Sequence, residues 1–308
     1  MRVVFFGSPA FAVPSLTAVA ATHDVAAVVT QPDRPAGRGK QLTPPAVKQA
    51  AARLGLKVLQ PAGVRDDAVR TQLAALVPDV FVVVAYGRIL PAALLEVPRL
   101  GSWNVHASLL PRYRGAAPIQ WAIIRGETRT GVAVMRMEAG LDTGSVAAVR
   151  ETAIRDDETA GTLADRLAAL GAEILSETLI HIASGAVRLT PQDDARATLA
   201  PPLDKDAGRL DFGRAAAEVS ARARGVDPWP GAWALLDGQA VKLFTPRAMP
   251  AVAAGAPGEV MAAGADGLIV ACAGGVVAFA EMQLPGRRRM AVSAAVAGRP
   301  IHPGARLT

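Results

Sequence analysis

The sequence predicts an α/β protein, with a domain built on a mostly parallel sheet followed by a small β-barrel domain. In residues 1–185, continuous apolar runs alternate with segments of helical periodicity, which is typical of a parallel sheet covered on both faces. Residues 206–308 contain brief β-like runs separated by Gly and Pro, which is typical of a small antiparallel barrel. We therefore predict two domains with these bounds, joined by a linker over residues 186–205.

The apolar runs of the first domain predict its strands in order. Residues 1–7 combine β-branched and aromatic side chains before Gly-Ser-Pro, as expected of a buried strand that leads into a helix. Residues 79–85, DVFVVVA, are apolar on both faces and predict a fully buried strand. Further strands are predicted over 25–30, 58–59, 100–106 and 130–137. Apolar residues at helical spacing predict helices over 44–54, 69–76 and 159–184.

The pattern changes after the long helix. Residues 186–204 contain three prolines and several Asp, Thr and Gln residues with weak periodicity, which is typical of an interdomain linker. A short helix is predicted next, over 215–224. The strands predicted for the barrel cover 232–236, 240–244, 259–262, 267–271 and 276–283.

Composition narrows the classes of function. The net charge of +6 is consistent with a polyanionic partner, but Arg-rich proteins without such a partner share it. The single cysteine, Cys272, excludes an internal disulfide and suits a reducing compartment, so we expect a cytoplasmic protein.

No apolar run reaches the ~20 residues that a membrane-spanning helix needs, so we expect no membrane partner. A monomer is the default expectation for the oligomeric state.

Several familiar ligand motifs are missing. There is no CxxC pair and no HExxH, and the four histidines are scattered, so we expect no metal site. There is no GxxxxGK[ST] loop for nucleotide phosphates, and the first turn, GSPAF, lacks the second and third glycines of GxGxxG. A G-x-S-x-G nucleophile is missing as well. The functional site must therefore use other residues.

The densest polar cluster covers residues 101–123, where Asn104 and His106 stand at the carboxyl end of a predicted strand. The strand period of two places both side chains on one face, and open α/β sheets bind ligands beyond this end of their strands. An amide donor and an imidazole that titrates near neutral pH suit acyl transfer, which needs oxyanion stabilisation and proton removal. The alternative is that both side chains merely cap the strand end.

Two further segments contain candidate residues. Asp142 lies in a Gly-flanked loop, where its carboxylate could reach His106 or could simply form an Asx turn. Residues 30–45 form an unusually long predicted loop, which is either functional or a solvated surface loop. Its cationic side chains, which could engage phosphates, include Arg34, Arg38 and Lys40.

Five longer segments occur in a fixed order along nearly the whole chain: QPDRPAGRGK, VVVAYGRILP, NVHASLLPRYRGAAPIQWA, GLDTG and PWPGAW. Together they resemble the methionyl-tRNA formyltransferase family. The resemblance implies a Rossmann-like, folate-binding domain followed by an OB-like β-barrel. It also implies that 10-formyltetrahydrofolate donates a formyl group to the amino group of methionyl-initiator tRNA, without a metal. The expected partners are therefore a reduced folate and this tRNA.

The resemblance also assigns roles by position. The family's catalytic residues match Asn104, His106 and Asp142. Its folate-binding residues match two stretches, Ser108, Leu109, Leu110 and Pro111, and the pterin-lining segment with Ala85, Tyr86, Gly87, Ile89 and Leu90. The loop linked with initiator tRNA recognition matches Arg38, together with Arg34 and Lys40.

Other functions remain open at this stage. Relatives with the same Asn-x-His and Asp core formylate an amino sugar attached to a nucleotide, or a phosphoribosylated glycinamide. The glycinamide enzymes lack a barrel of this kind, and the QPDRPAGRGK loop is not expected in the sugar enzymes. A catalytically silent RNA-binding protein with the same fold is the alternative from a different class.

Overall fold

A computed structural model describes residues 1–36, 41–250, 255–298 and 300–308. The chain divides into two compact units. The first comprises Met1–Ala116, Thr130–Thr152 and Ala164–Ala200, and the second comprises Ala117–Arg129, Ala153–Leu163 and Pro201–Thr308. The segment predicted as a linker is divided between them, because the first unit extends to Ala200. The domain bounds at residues 185 and 206 stay a prediction.

The strands of the first two hundred residues are β1 (Arg2–Gly7), β2 (Asp24–Val29), β3 (Arg34–Ala36), β4 (Gln41–Thr43), β5 (Val58–Leu59), β6 (Val80–Val84), β7 (Ser102–His106), β8 (Arg129–Arg136) and β9 (Val146–Ala153). Seven of them form one sheet in the order β5-β2-β1-β6-β7-β8-β9. The pairs from β5 to β7 are parallel, and β8 is antiparallel to β7. The helices of this part are α1 (Val13–Thr22), α2 (Ala46–Arg53), α3 (Asp67–Ala74), α4 (Ala92–Leu95), α5 (Pro118–Ile124) and α6 (Ala160–Ala183).

The central strands β1 and β6 explain why their sequences are continuously apolar. All five residues of β6 are buried, and β1 is buried from Val3 to its end. Phe6 of β1 packs against Phe81 of β6, with ring centroids 5.0 Å apart. Both faces of the sheet are therefore covered, as the sequence predicts, and the carboxyl edge of the parallel strands remains the place for a site.

The second unit contains an antiparallel sheet. Its strands are β10 (Trp233–Leu236), β11 (Gln239–Met249), β12 (Val260–Gly264), β13 (Gly267–Cys272), β14 (Gly275–Gln283) and β15 (Met290–Ala291), and the helices that follow α6 are α7 (Ala216–Gly225) and α8 (Val292–Gly298). The strand order is β10-β11-β14-β13-β12, with β15 paired to β14. The apolar core of this unit includes Cys272 of β13, where burial raises the pKa of the thiol to about 11.

Residues 305–308, which we call the closing segment, join the two ends of this strand order. Thr308 and Leu235 of β10 exchange two backbone hydrogen bonds, of 2.7 and 3.0 Å. The N–H of Val260 in β12 donates to the carbonyl of Ala305 at 2.8 Å. Because β10 and β12 are the outer strands of the sheet, these bonds close its edges. The predicted fold class, a Rossmann-like sheet domain followed by a small curled antiparallel barrel, is confirmed.

Some elements differ from the sequence expectations. The segment predicted as a long loop over 30–45 contains the antiparallel pair β3–β4. Strand β9 was not predicted, because its sequence, VAAVRETA, lacks a clear apolar alternation. Within the described part of the chain, no helix is both long and apolar enough to cross a membrane.

Candidate active site

Strand β7 carries two polar side chains to the carboxyl edge of the sheet. It lies between β6 and β8, with Asn104 beside Val83 and His106 beside Ala133. Because side chains alternate along a strand, Asn104 and His106 point to the same face. Only 6% of His106 is exposed, so the imidazole lies in a shielded position at the end of the strand.

The imidazole of His106 is oriented by a backbone carbonyl. Its Nε2 lies 2.9 Å from the carbonyl oxygen of Tyr113. A carbonyl can only accept a hydrogen bond, so Nε2 carries the proton in the neutral ring and Nδ1 is the basic nitrogen. Nδ1 lies 3.6 Å from Oδ2 of Asp142. This distance exceeds that of an ordinary hydrogen bond, so Nδ1 remains available to bond a ligand.

Asp142 reaches the site from a separate loop. Its backbone has a φ of 53°, a left-handed conformation that Asp tolerates better than most residues. Its Oδ2 accepts a hydrogen bond of 2.8 Å from the N–H of Gly115. The carboxylate therefore holds its loop against the segment that also supplies the Tyr113 carbonyl.

Asn104 has a buried atom without a protein partner. Among the described residues, its Oδ1 accepts no hydrogen bond. Buried polar atoms are paired in the great majority of cases, so an unpaired one within a polar cluster indicates a ligand position. A side chain that merely capped the strand would have its amide satisfied. The contact pattern of Asn104 therefore favours a binding role over the capping alternative.

The stretch Ser108–Pro111 begins with a buried side chain. The hydroxyl of Ser108 is completely buried and donates to the carbonyl of Arg112 at 2.6 Å. Leu109, Leu110 and Pro111 are half-buried. Ser108 thus stabilises the turn, and the three residues after it are the ones that present surface.

The segment after β6 runs beside the end of β7, because the two strands are parallel neighbours. Tyr86 and Leu90 pack into the core, whereas Ala85, Gly87 and Ile89 are exposed. Burial raises the pKa of Tyr86, and its hydroxyl has no hydrogen-bond partner among the described residues. A ligand in this region would therefore meet backbone and small side chains more than the tyrosine ring.

The base of the predicted tRNA loop is bonded to the same segment. Arg34 donates to Oε1 of Gln31 at 3.4 Å, and Arg88 donates to the same oxygen at 3.0 Å. The side-chain amide of Gln31 donates in turn to the carbonyl of Tyr86 at 3.2 Å. Arg38 and Lys40, the other cationic candidates, lie outside the described residues.

The sequence did not reveal one group of residues next to the site. Arg114 is almost completely buried and bonded to Gln192 and Asp194, and Gln192 is bonded to the Asp142 loop. No local pattern identifies this set, because Gln192 lies in the polar, proline-containing segment that reads as a linker. The one member of this group that the sequence places near the site is Arg114, which follows the Asn104 and His106 strand. Its burial is visible only in the structure.

The described ranges contain no group of three or more His, Cys, Asp or Glu side chains that could hold a metal ion. The site offers an amide on the same strand face as an imidazole, and a carboxylate 3.6 Å from that imidazole. Such a set can stabilise an oxyanion through N–H donors and can move a proton at the same time.

Comparison with known proteins identifies the class that this fold and site define, the formyl transferases. Residues 1–179 match the family model for formyl transferase, and residues 202–300 match the model for the formyl transferase C-terminal domain. The chain is 48% identical to a methionyl-tRNA formyltransferase of Geobacter metallireducens, over 100% of this chain and 98% of the relative. It is 49% identical to one of Myxococcus xanthus, over 98% of this chain and 96% of the relative. The chain belongs to the methionyl-tRNA formyltransferase family.

A solved structure extends the likeness of fold. HypX of Aquifex aeolicus, in complex with tetrahydrofolic acid, superposes with a TM-score of 0.65 at 18% identity, over 100% of this chain and 50% of that one. At this identity the likeness concerns the fold alone.

Proposed function

We propose that this protein transfers the formyl group of 10-formyltetrahydrofolate to the free amino group of methionyl-initiator tRNA, through a tetrahedral intermediate. The observation that carries the proposal is the approach of His106 to Asp142, with Nδ1 3.6 Å from the carboxylate, at the end of the strand whose same face carries Asn104. The names of relatives nearly half identical over the full chain favour the tRNA acceptor over a nucleotide-linked amino sugar.

The three side chains divide the chemistry among them. Attack of the amine on the formyl carbon turns the carbonyl oxygen into an oxyanion, which needs N–H donors. Asn104 provides an amide donor, and protonated His106 provides the N–H at Nδ1, because Nε2 is occupied by Tyr113. Asp142 stabilises the imidazolium and relays the proton lost by the attacking amine toward the departing nitrogen. No step requires a metal or a covalent enzyme intermediate.

A reduced folate fits the residues around this point. The bound cofactor supplies the activated formyl group. The exposed backbone at Ala85 and Gly87 offers hydrogen-bonding groups to a pterin, and Ile89 adds apolar surface. The half-buried part of Ser108–Pro111 would line the neighbouring side of the folate. The Nδ2 amide of Asn104 would donate to the formyl oxygen, and its Oδ1, which is unpaired in the described part of the chain, would accept from an N–H of the attacking amine.

For the tRNA we propose the cationic loop that contains Arg34, Arg38 and Lys40. Guanidinium and ammonium groups pair with backbone phosphates, and such contacts give affinity that falls with added salt. The hydrogen bonds from Arg34 and Arg88 to Gln31 tie the base of this loop to the proposed pterin segment. We propose a cytoplasmic monomer as the acting form.

The test is formyl transfer by the purified protein from 10-formyltetrahydrofolate to three acceptors: initiator Met-tRNA, elongator Met-tRNA and a nucleotide-linked amino sugar. We expect rapid formylation of initiator Met-tRNA and much slower formylation of the other two. Transfer to the sugar alone would establish the alternative. RNA binding without folate binding or transfer would establish a silent RNA-binding protein.

A further inference from the structure

We propose that Gln192 is a positioning residue for the reaction, because it fixes the loop that carries Asp142. This inference rests on the proposed function. Gln192 lies beyond α6, in the segment whose composition resembles a linker. Its side-chain amide uses both ends, one toward Arg114 and the other toward the Asp142 loop.

The oxygen end of Gln192 is held by a buried cation. Nε and Nη2 of Arg114 donate to Oε1 of Gln192 at 3.0 and 2.9 Å, and Nη2 also donates to Asp194 at 2.7 Å. The Arg114 side chain is 8% exposed, whereas that of Asp194 is 81% exposed. Gln192 is therefore the more shielded of the two partners, and a hydrogen bond to a charged group is stronger there than at the surface.

The nitrogen end of Gln192 holds the Asp142 loop. Nε2 donates to the carbonyl of Asp142 at 2.8 Å and to the carbonyl of Gly144 at 2.7 Å. These two bonds fix the backbone from Asp142, the left-handed residue whose carboxylate faces His106, to Gly144. A small rotation of that backbone would change the 3.6 Å separation between Asp142 and His106.

The same segment also bonds to Tyr113 and Arg114, on the other chain segment that contacts His106 and Asp142. Thr198 accepts from the N–H of Tyr113 at 2.9 Å, and its carbonyl accepts from the N–H of Arg114 at 2.9 Å. The N–H of Ala200 donates to the carbonyl of Arg114 at 2.7 Å. Residues 192–200 therefore hold both the Tyr113 carbonyl that orients His106 and the loop that carries Asp142.

The chemistry of the amide explains why glutamine suits this position. The oxygen must accept from a guanidinium while the nitrogen donates to two carbonyls, and an amide side chain provides both ends. In Gln192→Glu the contact to Arg114 is retained, but a carboxylate oxygen faces the carbonyls of Asp142 and Gly144. In Gln192→Met a side chain of similar length loses both sets of hydrogen bonds.

The experiment compares Gln192→Glu, Gln192→Met and the control Asp194→Ala, which removes the other Arg114 partner without touching the Asp142 loop. We expect kcat for formylation of initiator Met-tRNA to fall by about 10–100-fold in both Gln192 variants, since small misplacements of reacting groups have effects of this order. The KM for the tRNA should stay within about twofold, because the phosphate contacts are unaffected. Asp194→Ala should keep the kcat of the wild-type protein.

Amide hydrogen exchange provides a readout that does not depend on activity. The N–H of Gly115, which donates to Asp142, should exchange faster in both Gln192 variants and at the wild-type rate in Asp194→Ala. Wild-type kcat and unchanged Gly115 exchange in Gln192→Glu would overturn the inference, as would an equal loss of kcat in Asp194→Ala. A wild-type protein that transfers no formyl group would instead overturn the proposed function, and the exchange experiment would still test Gln192.

Discussion

The first and second units use their polar and charged side chains in opposite ways. At the end of β7, the buried Oδ1 of Asn104 accepts no hydrogen bond from any residue that the structure describes, and Nδ1 of His106 lies beyond hydrogen-bond distance of Asp142. In the barrel, Arg289 lies over the ring of Phe244, 4.1 Å from its centroid. Its guanidinium also contacts the acceptors Asp227 at 3.1 Å, Thr245 at 3.3 Å and Glu281 at 2.7 Å.

This difference separates a reactive site from a structural cluster. The guanidinium of Arg289 has partners at each of its nitrogens, so its contacts contribute to stability. Groups that remain partly unpaired in a shielded place have lost water without gaining a full set of partners. Their hydrogen-bonding capacity is therefore available to a substrate.

The largest expected effect concerns the reactive region. We expect Asn104→Ala to reduce kcat by ~10²–10³, because it removes a donor to the developing oxyanion. The free energy of unfolding should change little, since Oδ1 has no partner to lose within the described ranges of the chain. Steady-state kinetics and chemical denaturation measure the two quantities, with Gln72→Ala on the exposed surface of α3 as the matched amide control. A folded Asn104→Ala protein with normal turnover would contradict the assignment.

The next largest effect concerns the barrel and should change stability without changing turnover. Leu307 of the closing segment is 2% exposed and belongs to the barrel core. We expect Leu307→Ala to lower the free energy of unfolding by about 2–3 kcal/mol, because it leaves a cavity. The kcat of the folded protein should match the wild type, and Leu54→Ala, at a 42% exposed position, serves as the control. A lower kcat under conditions where Leu307→Ala is folded would show that packing in the barrel also affects turnover, which would contradict this prediction.

The smallest effect is a dependence of stability on pH within the Arg289 cluster. Hydrogen bonds from Arg289 and then Thr245 lower the pKa of Glu281. A lowered pKa in the folded state means that the ionised carboxylate adds stability above its unfolded value of about 4.3, and that this contribution disappears as the pH falls through the folded value. Because the side chain is 37% exposed, we expect Glu281→Gln to lower the free energy of unfolding by only about 0.5–1 kcal/mol at neutral pH.

This difference between Glu281→Gln and the wild type should vanish in acid, where the wild-type carboxyl is also neutral. Denaturation at a series of pH values measures it, and Glu96→Gln, on the surface at the end of α4, should show no such trend. A difference that persisted unchanged into acid would mean that Glu281 acts through packing and not through its charge.

The strands were predictable from sequence where burial alone determines the pattern. The DVFVVVA run predicts a strand buried on both faces, and β6 covers Val80–Val84. Asn104 and His106 were predictable as neighbours, because the strand period is a local property. Strand β9 was not predicted, because its alanines and its two adjacent charged residues, Arg150 and Glu151, give no clear apolar alternation.

Contacts between distant segments could not be derived in the same manner. Asp142 was linked to His106 only as one of two open possibilities, and the resemblance to a family favoured it. The role of Gln192 was not predicted, because its partners Arg114 and Asp142 are 78 and 50 residues away in the sequence. Its segment forms backbone bonds to another loop and contains one short 3-10 helix, Asp194–Arg196, and its composition resembles that of a linker.

The buried thiol of Cys272 has a practical consequence. With a pKa of about 11 it stays protonated at neutral pH, and the thiolate is the form that reacts with maleimides and similar reagents. It is also the only cysteine in the sequence. A cysteine introduced at an exposed position, such as Asp194→Cys, can therefore receive a fluorophore selectively while the native thiol stays in place. Such a label would report on the loop beside the site during turnover.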